Sequence, residues 1–322
     1  MNYLRIVLLV GLLHTLALGV NPIRFLTYPQ DAASLALAGA TQALPIGTMD
    51  FFRNPALSDL RSQIGFGVSN IIEYEQFQYA ALAMTIPLKG NGTFGWGIVG
   101  LFYPGMTRYD ETGMALGDFS QYNAAFVVNY SKVLLPFAVG ANIKYVQRGF
   151  TGLDKNPIGK GIGIDLGMYY NITQQLKLAV VYRLGFQLSW EEGYIEKIPK
   201  AIDVGVAWHP TLLGRTPFGF VFNIHQEKNE PVKANLGIRW VLAWQENETP
   251  KMAVYGGIGQ INFETRTYQV AFQEYFASEK FYSTGVSLRI GTAESANLVL
   301  DYSFWMHPVL PNRHMITTKI EF

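Results

Sequence analysis

The residues most often used in catalysis are few and scattered along this chain. The five histidines show neither the i, i+4 spacing on a helix nor the clustering on paired strands that a metal site requires. Ser287 and Ser303 fall on predicted strands, yet no histidine stands level with either on a neighbouring strand, as a hydrolase would need. Cysteine is absent, which excludes thiol catalysis and Cys-ligated zinc. The sequence therefore predicts a non-enzymatic protein with no cofactor and no bound metal.

One glycine motif matches a cofactor-binding pattern by its letters alone. The run from Gly95 to Gly100 has the spacing of the dinucleotide fingerprint, which needs a strand before it and a helix after it. Here Phe94, Trp96 and Ile98 alternate with the glycines, so the motif lies inside a strand. We interpret the match as coincidence.

Charged residues recur instead on one face of alternating segments. The segments 176–190 and 232–244 place apolar residues at every second position and mostly glycine or polar groups between them. This period of two indicates β-strands. Glycines with widely spaced charges would cover a water-exposed exterior thinly, but they are typical of a barrel lumen. We predict that the charged residues lining this lumen include Lys144, Asp165, Arg183, Arg239, Arg289 and Asp301.

Fourteen such segments follow one another along the chain. Several have ten or more residues, which suits a tilted membrane strand. Short turns largely alternate with longer connections, as in barrels with short periplasmic turns and long external loops. Aromatic residues lie near the predicted strand ends, where amphipathic rings favour a membrane interface; they include Tyr130, Tyr170, Trp190, Trp208, Trp244 and Trp305. The sequence predicts an all-β fold, a 14-stranded antiparallel transmembrane β-barrel of the bacterial outer membrane, over residues 61–322.

Composition supports this class of protein. Of 322 residues only 15% are charged, against the roughly 25% of soluble domains. The aromatic content of 14% excludes a disordered chain. A net charge of +1 without a basic stripe excludes a nucleic-acid partner.

The first sixty residues differ from the rest. Residues 1–19 combine a positive start, an apolar run and a small-residue site, which predicts a cleaved signal peptide. Residues 20–60 contain a short helical pattern that begins with Asp31 as a cap and stops at Gly39. Asn54 and Pro55 follow. The segment is either a periplasmic leader or a small plug within the lumen.

Three predicted connections, 104–116, 189–200 and 263–279, combine aromatic with acidic or other charged residues. Exposed aromatic residues rimmed by charge can mark a protein-binding surface. The alternative is an interfacial belt with solvated loops. The candidate partner-binding residues are Tyr109, Asp110, Trp190, Tyr194, Tyr275 and Phe276.

Several short motifs resemble the PorV/PorQ family, with PorQ slightly nearer than PorV. These motifs are Phe25-Leu26 with Ala32–Ala40, Asn54-Pro55-Ala56, Leu116–Phe119, Glu196–Pro199 and Leu298 to His307. The resemblance implies a fourteen-stranded barrel of the long-chain fatty-acid transporter (FadL) type. It also implies an outer-membrane component of type IX protein secretion or cell-surface attachment. Its partners would be outer-membrane lipid and a secretion translocon or secreted cargo protein, bound through the external loops.

The alternative function is a FadL-like transporter with a hydrophobic small molecule as its partner. An apolar inward pocket would favour transport, and a plugged polar lumen would favour docking. The sequence shows no dense apolar set on the inward face of the strands, which favours docking.

Overall fold

The computed structural model describes residues 23–61, 63–72, 77–191, 193–212, 215–228, 230–244, 250–262, 267–270, 273–276, 280–291, 296–307 and 312–322. The predicted signal peptide, residues 1–19, lies outside these ranges.

The described residues contain eighteen β-strands, named in chain order. They are β1 (Gly65–Ile72), β2 (Gln78–Pro87), β3 (Thr93–Tyr109), β4 (Ala115–Leu134), β5 (Phe137–Thr151), β6 (Ile158–Asn171), β7 (Leu176–Arg183), β8 (Phe186–Trp190), β9 (Ile195–Ile198), β10 (Ala201–Trp208), β11 (Phe218–Glu227), β12 (Lys233–Trp244), β13 (Pro250–Asn262), β14 (Thr267–Val270), β15 (Gln273–Phe276), β16 (Phe281–Gly291), β17 (Asn297–Met306) and β18 (Arg313–Glu321).

Fourteen of these strands close into one antiparallel barrel. Going round the wall, the order is β5, β4, β3, β2, β1, β18, β17, β16, β13, β12, β11, β10, β7 and β6, and β6 pairs again with β5. The first and last strands pair from Gly65 opposite Glu321 to Ile72 opposite His314. The predicted 14-stranded barrel is confirmed, and closure leaves no strand edge open to lipid.

The remaining four strands lie in the longer connections between barrel strands. β8 and β9 form a hairpin that pairs with β6, and β14 and β15 form a separate hairpin. β3 and β4 also continue beyond their neighbours, so that Met106 pairs with Phe119 and Tyr109 with Ala115. The prediction of long loops over 104–116, 189–200 and 263–279 needs correction, because all three ranges contain paired strands. Hairpin pairing satisfies the backbone hydrogen bonds of these segments outside the barrel wall.

The outer surface of the barrel is apolar. On β6, Ile162, Ile164, Leu166 and Met168 all point outwards and are 39–64% exposed. At the end with the short turns, aromatic rings pair on this outer face: Phe137 stacks on Tyr170 at 4.6 Å, and four further rings form the stacks Trp208–Phe220 and Phe218–Trp240. An apolar band with an aromatic rim is the exterior of an outer-membrane barrel, which fixes the cellular location as the bacterial outer membrane.

No helix within the described ranges is both long and apolar enough to span a membrane. The only α-helix among them, α1 (Ala32–Ala36), has five residues, and three 3₁₀ turns accompany it: Arg24–Leu26, Asp50–Phe52 and Pro55–Leu60. All four lie in the segment from Ile23 to Arg61, called here the lumenal segment because it lies inside the barrel. Helix α1 contacts β13, β16, β17 and β18, and the last 3₁₀ turn contacts β3, β4, β5 and β6 on the other side.

Glycines on the inward face of the wall make room for the lumenal segment. A Cβ atom added to Gly257 of β13 would lie 2.7 Å from the backbone nitrogen of Ala38, and one added to Gly205 of β10 would lie 2.8 Å from Cβ of Gln42. Equivalent clashes with this segment occur at Gly97, Gly140, Gly167, Gly237 and Gly285. The lumenal segment therefore touches the wall on nearly every side.

Candidate functional site

The lumenal segment is built around two side-chain caps. Asp31 begins helix α1, and its Oδ1 accepts a hydrogen bond of 2.7 Å from the amide of Ser34. Asn54 begins the last 3₁₀ turn and accepts from the amide of Ala56, while its Nδ2 donates to the carbonyl of Gln42 at 2.9 Å. These bonds tie the two halves of the segment together.

Hydrogen bonds also attach the segment to the wall. The amide of Ala32 donates to Thr317 Oγ1 at 2.8 Å, and Ser283 Oγ donates to the carbonyl of Ala36 at 3.0 Å. On the opposite side Asn129 Nδ2 donates to the carbonyl of Pro55 at 3.0 Å. The predicted residues Asp31, Gly39, Asn54 and Pro55 thus all lie within a folded, anchored element.

Two buried ionisable groups of the segment have displaced pKa values. Burial, with Asp31 nearby, raises the pKa of Asp50 from 3.8 to about 7, although its Oδ2 accepts from the amides of Ile46 and Gly47. Burial lowers the pKa of Arg53 from 12.5 to about 10. Arg53 Nη2 donates to the carbonyl of Gly39. Both residues sit in the middle of the segment rather than on a membrane strand.

A cavity of about 220 Å³ lies between the lumenal segment and the barrel wall. Its floor includes Arg53, Gln42 and Gly39 of the segment. Its wall reaches the ends of β11, β12, β16, β17 and β18 that carry the longer connections, so it lies on the extracellular side of the segment.

One side of the cavity is apolar. Phe281 and Trp305 have ring centroids 5.4 Å apart, and both line it. The lumenal segment supplies Leu26 and Leu35, and β1 supplies Ile71. The sequence pattern did not reveal this apolar surface, because much of it comes from the segment rather than from the strands.

Charged groups on adjacent strands form another part of the lumen wall; of these, Arg183, Asp203 and His225 line the cavity, and Lys144 and Asp165 do not. Lys144 Nζ lies 2.6 Å from Asp165 Oδ1, and Arg183 pairs with Asp203. His225 Nδ1 lies 3.0 Å from the other oxygen of Asp203. Asp165 is directly opposite Arg183 in the ladder of β6 and β7. The structure therefore brings together three of the predicted lumenal residues, and Arg183 lines the cavity itself.

The extracellular mouth of the cavity contains a guanidinium group surrounded by rings. The guanidinium carbon of Arg313 lies 4.5 Å from the centroid of Trp305 and 4.7 Å from that of Phe77. Its Nη1 donates to Tyr28 Oη at 3.4 Å. Cation–π contacts of this kind hold the rings around the mouth together.

The other three predicted lumenal residues, Asp301, Arg289 and Arg239, do not line the cavity either. Asp301 pairs with Lys319 at 2.7 Å, and Arg289 pairs with Glu321 at 2.9 Å, towards the periplasmic end. Arg239 of β12 stands opposite Tyr255 in the sheet. These side chains lie on the inward face of the wall, outside the lining of the cavity.

The predicted partner-binding residues are dispersed. Tyr109 ends β3. Asp110 Oδ1 accepts bonds from the hydroxyl of Thr112 and from the amides of Met114 and Thr112, and these bonds lower the pKa of Asp110. Tyr194 is exposed in the turn between β8 and β9. Tyr275 and Phe276 lie in β15, and their side chains are outside the described part of the structure.

Trp190 does not lie at the membrane interface, where the sequence analysis predicted it. Its ring lies 6.3 Å from that of Phe150 and 5.9 Å from the guanidinium of Arg148, which faces inwards. Trp305 likewise turns into the lumen rather than towards the membrane interface. Alternation along each strand places both side chains on the inward face. This alternation, and not the preference of amphipathic rings for the membrane interface, sets the direction of the two rings.

Several residues of the cavity were missed. Asp203 alternates with Ile202 and Val204 and shares the parity of Gly205, so its inward direction was detectable. Gln42 and Arg53 carry no such pattern, because they lie in an irregular segment. Within the described residues no group of three or more histidines, aspartates or glutamates could hold a metal ion.

Comparison with known proteins finds likeness in structure only, since no family model and no curated protein sequence matches the chain. The toluene transporter TodX of Pseudomonas putida is 11% identical with a TM-score of 0.59, covering 90% of this chain and 96% of TodX. A FadL homologue of Pseudomonas aeruginosa is 10% identical with a TM-score of 0.55, covering 91% and 98%. The toluene transporter TbuX of Ralstonia pickettii is 15% identical with a TM-score of 0.51, covering 90% and 97%. The chain has the fold of FadL-type outer-membrane barrels.

Proposed function

We propose that this protein is an outer-membrane channel that admits small apolar or amphipathic molecules from outside the cell. The observation that carries the proposal is the cavity above the lumenal segment, with its apolar side of Phe281, Trp305 and Leu26. Binding sites for small molecules are concave, largely apolar and supplied with a few polar groups. The similar structures are named as toluene transporters and a FadL homologue, which supports the same function.

The size of the cavity limits its ligand. An apolar protein cavity of about 150 Å³ holds benzene. The volume of about 220 Å³ therefore suits a molecule with one ring and a few further atoms. A long acyl chain would exceed this volume.

An uptake assay in bacteria with an intact outer membrane tests this function. Leu26 lies on the cavity side of the lumenal segment, and Leu26→Trp would fill part of the space. We expect the initial rate of radiolabelled toluene uptake to rise on expression of the native chain and to fall to the background rate with Leu26→Trp. Leu166→Trp makes the same change on the outer face of β6 and should keep the native rate. Equal rates with and without the native chain would contradict a channel.

The predicted role in type IX secretion remains a second candidate. It is supported by the PorV/PorQ-like motifs and by the β3–β4 hairpin, which stands beyond β2 and β5 and exposes Tyr109, Met114 and Leu116. Mild solubilisation of the outer membrane and identification of what co-purifies tests it. Recovery of a large barrel translocon or secreted cargo would establish this role, whereas purification with a small molecule alone supports transport.

A further inference from the structure

The outer surface of the barrel carries a group of exposed lysines at its extracellular edge, on one side of the wall. Lys160 lies on the outward face of β6 near its extracellular end. Lys197 of β9 is exposed on the outward face of the β8–β9 hairpin, because the next residue, Ile198, is buried inside. Lys200 comes immediately before β10 and Lys228 immediately after β11; both are exposed, and the amide of Lys228 donates to the carbonyl of Lys200 at 3.0 Å. We call these four residues the lysine row.

Strand pairing sets the spacing of Lys160 and Lys197. Lys160 stands opposite Ser189 of β8, and Gln187 of β8 stands opposite Lys197. The two lysines are therefore two strands apart across the sheet and two residues apart along it, which places their Cα atoms about 12 Å from each other. Ser189 and Gln187 are exposed between them and add neutral hydrogen-bond donors. Two extended lysine side chains at this spacing can reach groups on a single lipid headgroup.

The acidic side chains of these strands face the other way. Asp165, Asp203 and Glu227 are 2–6% exposed inside the barrel. Glu196 of β9 pairs with the inward Arg148 at 2.8 Å. Within the ranges that the structure describes, none of the four ammonium groups meets a carboxylate or another hydrogen-bond acceptor. The outward face on this side therefore carries positive charge that no neighbouring acid balances.

The apolar band of the barrel begins directly beneath the row. The outward residue that follows Lys160 on β6 is Ile162, which is 64% exposed. A lysine in this place can lay its stem on apolar surface and extend its ammonium group into the headgroup layer. On the other side of the barrel, the extracellular ends of β16 and β17 instead place Tyr282 and Met306 outwards. The charge and the edge of the apolar band thus coincide along β6 to β11.

We infer that the lysine row binds the phosphate groups of lipopolysaccharide, the phosphorylated glycolipid of the outer leaflet, with Lys160 and Lys197 on one headgroup. Because the barrel lies in a bacterial outer membrane, this lipid is the anion that borders its apolar exterior on the extracellular side. Lysines beside an anionic membrane surface strengthen attraction to it, and an ammonium group binds phosphate as a point charge. The inference assigns a lipid partner to the outer surface and does not depend on what the cavity admits.

Native mass spectrometry of the full chain in a zwitterionic detergent tests the inference, with diphosphorylated lipid A, phosphatidylethanolamine and inorganic phosphate as probes. We expect lipid A to bind the native chain. Lys160→Gln together with Lys197→Gln should weaken this binding about 25-fold, about fivefold for each lysine. Lys251→Gln together with Lys280→Gln removes two exposed lysines outside the row and should leave the affinity unchanged. Folding of each variant is checked by its heat-dependent mobility in gels.

Each other outcome contradicts a part of this assignment. Phosphatidylethanolamine binding as tightly as lipid A would overturn it, because the acyl chains alone would then account for binding. Inorganic phosphate binding as tightly as lipid A would show a site for the free ion and would overturn the docking of a lipid. Equal affinity of the native chain and the Lys160/Lys197 variant for lipid A would exclude the row from the contact. Loss of small-molecule uptake with lipid A binding retained would contradict the channel and support the lysine row.

Discussion

Gly257 of β13 lies directly against Ala38 of the lumenal segment, so that a Cβ atom on the glycine would stand 2.7 Å from the amide nitrogen and 2.8 Å from Cβ of Ala38. The adjacent Gly256 faces the opposite way, where a Cβ would meet only Ile238 at 3.7 Å. Of these two neighbouring glycines, Gly257 therefore faces the interior of the barrel and Gly256 faces its exterior.

Replacement of Gly257 tests how tightly the segment is fitted. Gly257→Ala forces a methyl group onto backbone atoms, and overpacking of this kind costs about 1–3 kcal/mol. We expect the free energy of unfolding in urea to fall by that amount, while Gly256→Ala leaves it nearly unchanged. If both variants unfolded at the same urea concentration as the native chain, the segment would not be packed on β13.

The Lys319–Asp301 ion pair predicts that substitutions of its two residues have non-additive effects on the free energy of unfolding. The pair is 2.7 Å long and each side chain is 1% exposed. Lys319→Met leaves a buried carboxylate alone, which costs about 3–5 kcal/mol. Adding Asp301→Asn should restore part of the loss in a double-mutant cycle of unfolding free energies.

A surface pair supplies the comparison for that cycle. Arg108 and Asp154 lie 3.6 Å apart, but the carboxylate is 86% exposed. Asp154→Asn should cost less than about 1 kcal/mol. A loss for Lys319→Met as small as this would show that the pair is open to water.

The buried carboxyl of Asp50 predicts a pH dependence. Its pKa rises on folding from 3.8 to about 7, so the folded chain binds the proton more tightly than the unfolded chain. The stability that this proton contributes is complete below pH 4 and is lost as the pH rises through about 7. The shift limits the effect to about 4 kcal/mol.

Urea unfolding at pH 5 and pH 8 measures this contribution. The native chain should lose more stability between these values than Asp50→Asn, which keeps an acceptor for the amides of Ile46 and Gly47 but cannot ionise. Asp31, Arg61 and Lys319 act on the same carboxyl and are present in both proteins. Identical losses in the two proteins would refute the assignment to Asp50.

Substitutions at the tip of the β3–β4 hairpin should change the binding of a partner protein without changing the stability of the barrel. Tyr109 and Met114 are 60% and 69% exposed. Replacing both with Ser should shift the unfolding free energy by no more than about 0.5 kcal/mol per site. If the hairpin binds a protein, the amount of partner retained after mild solubilisation should fall with this variant. Unchanged retention would exclude the tip from that contact.

The barrel could be predicted from the sequence because the alternation of inward and outward side chains depends only on neighbouring residues in a strand. Each inward position, such as Asp165, is two residues from the next, and lipid outside the wall requires an apolar side chain at the positions between. The extension of β3 to Tyr109 was not visible, since Pro104 and Gly105 interrupt the alternation with a bulge. Turn-forming residues there indicated a loop.

The cavity was less predictable than the wall. Its charged side contains Arg183, whose direction follows from strand parity. Its apolar side depends on Leu26 and Leu35 of an irregular segment, whose position is set by contacts distant in sequence. The glycine-rich inward face was noticed in the sequence, but its cause, the close approach of residues such as Ala38, needs the three-dimensional fold.

Diffraction from a crystal soaked in bromobenzene tests the channel most directly, because bromine scatters anomalously and reports the position of the ring. We predict one bromine peak in the cavity between Trp305 and Leu26, above Arg53 of the lumenal segment. The peak should be lost in Leu26→Trp and kept in Leu166→Trp. Bromine only around the apolar exterior, with none inside the native barrel, would contradict the proposed function.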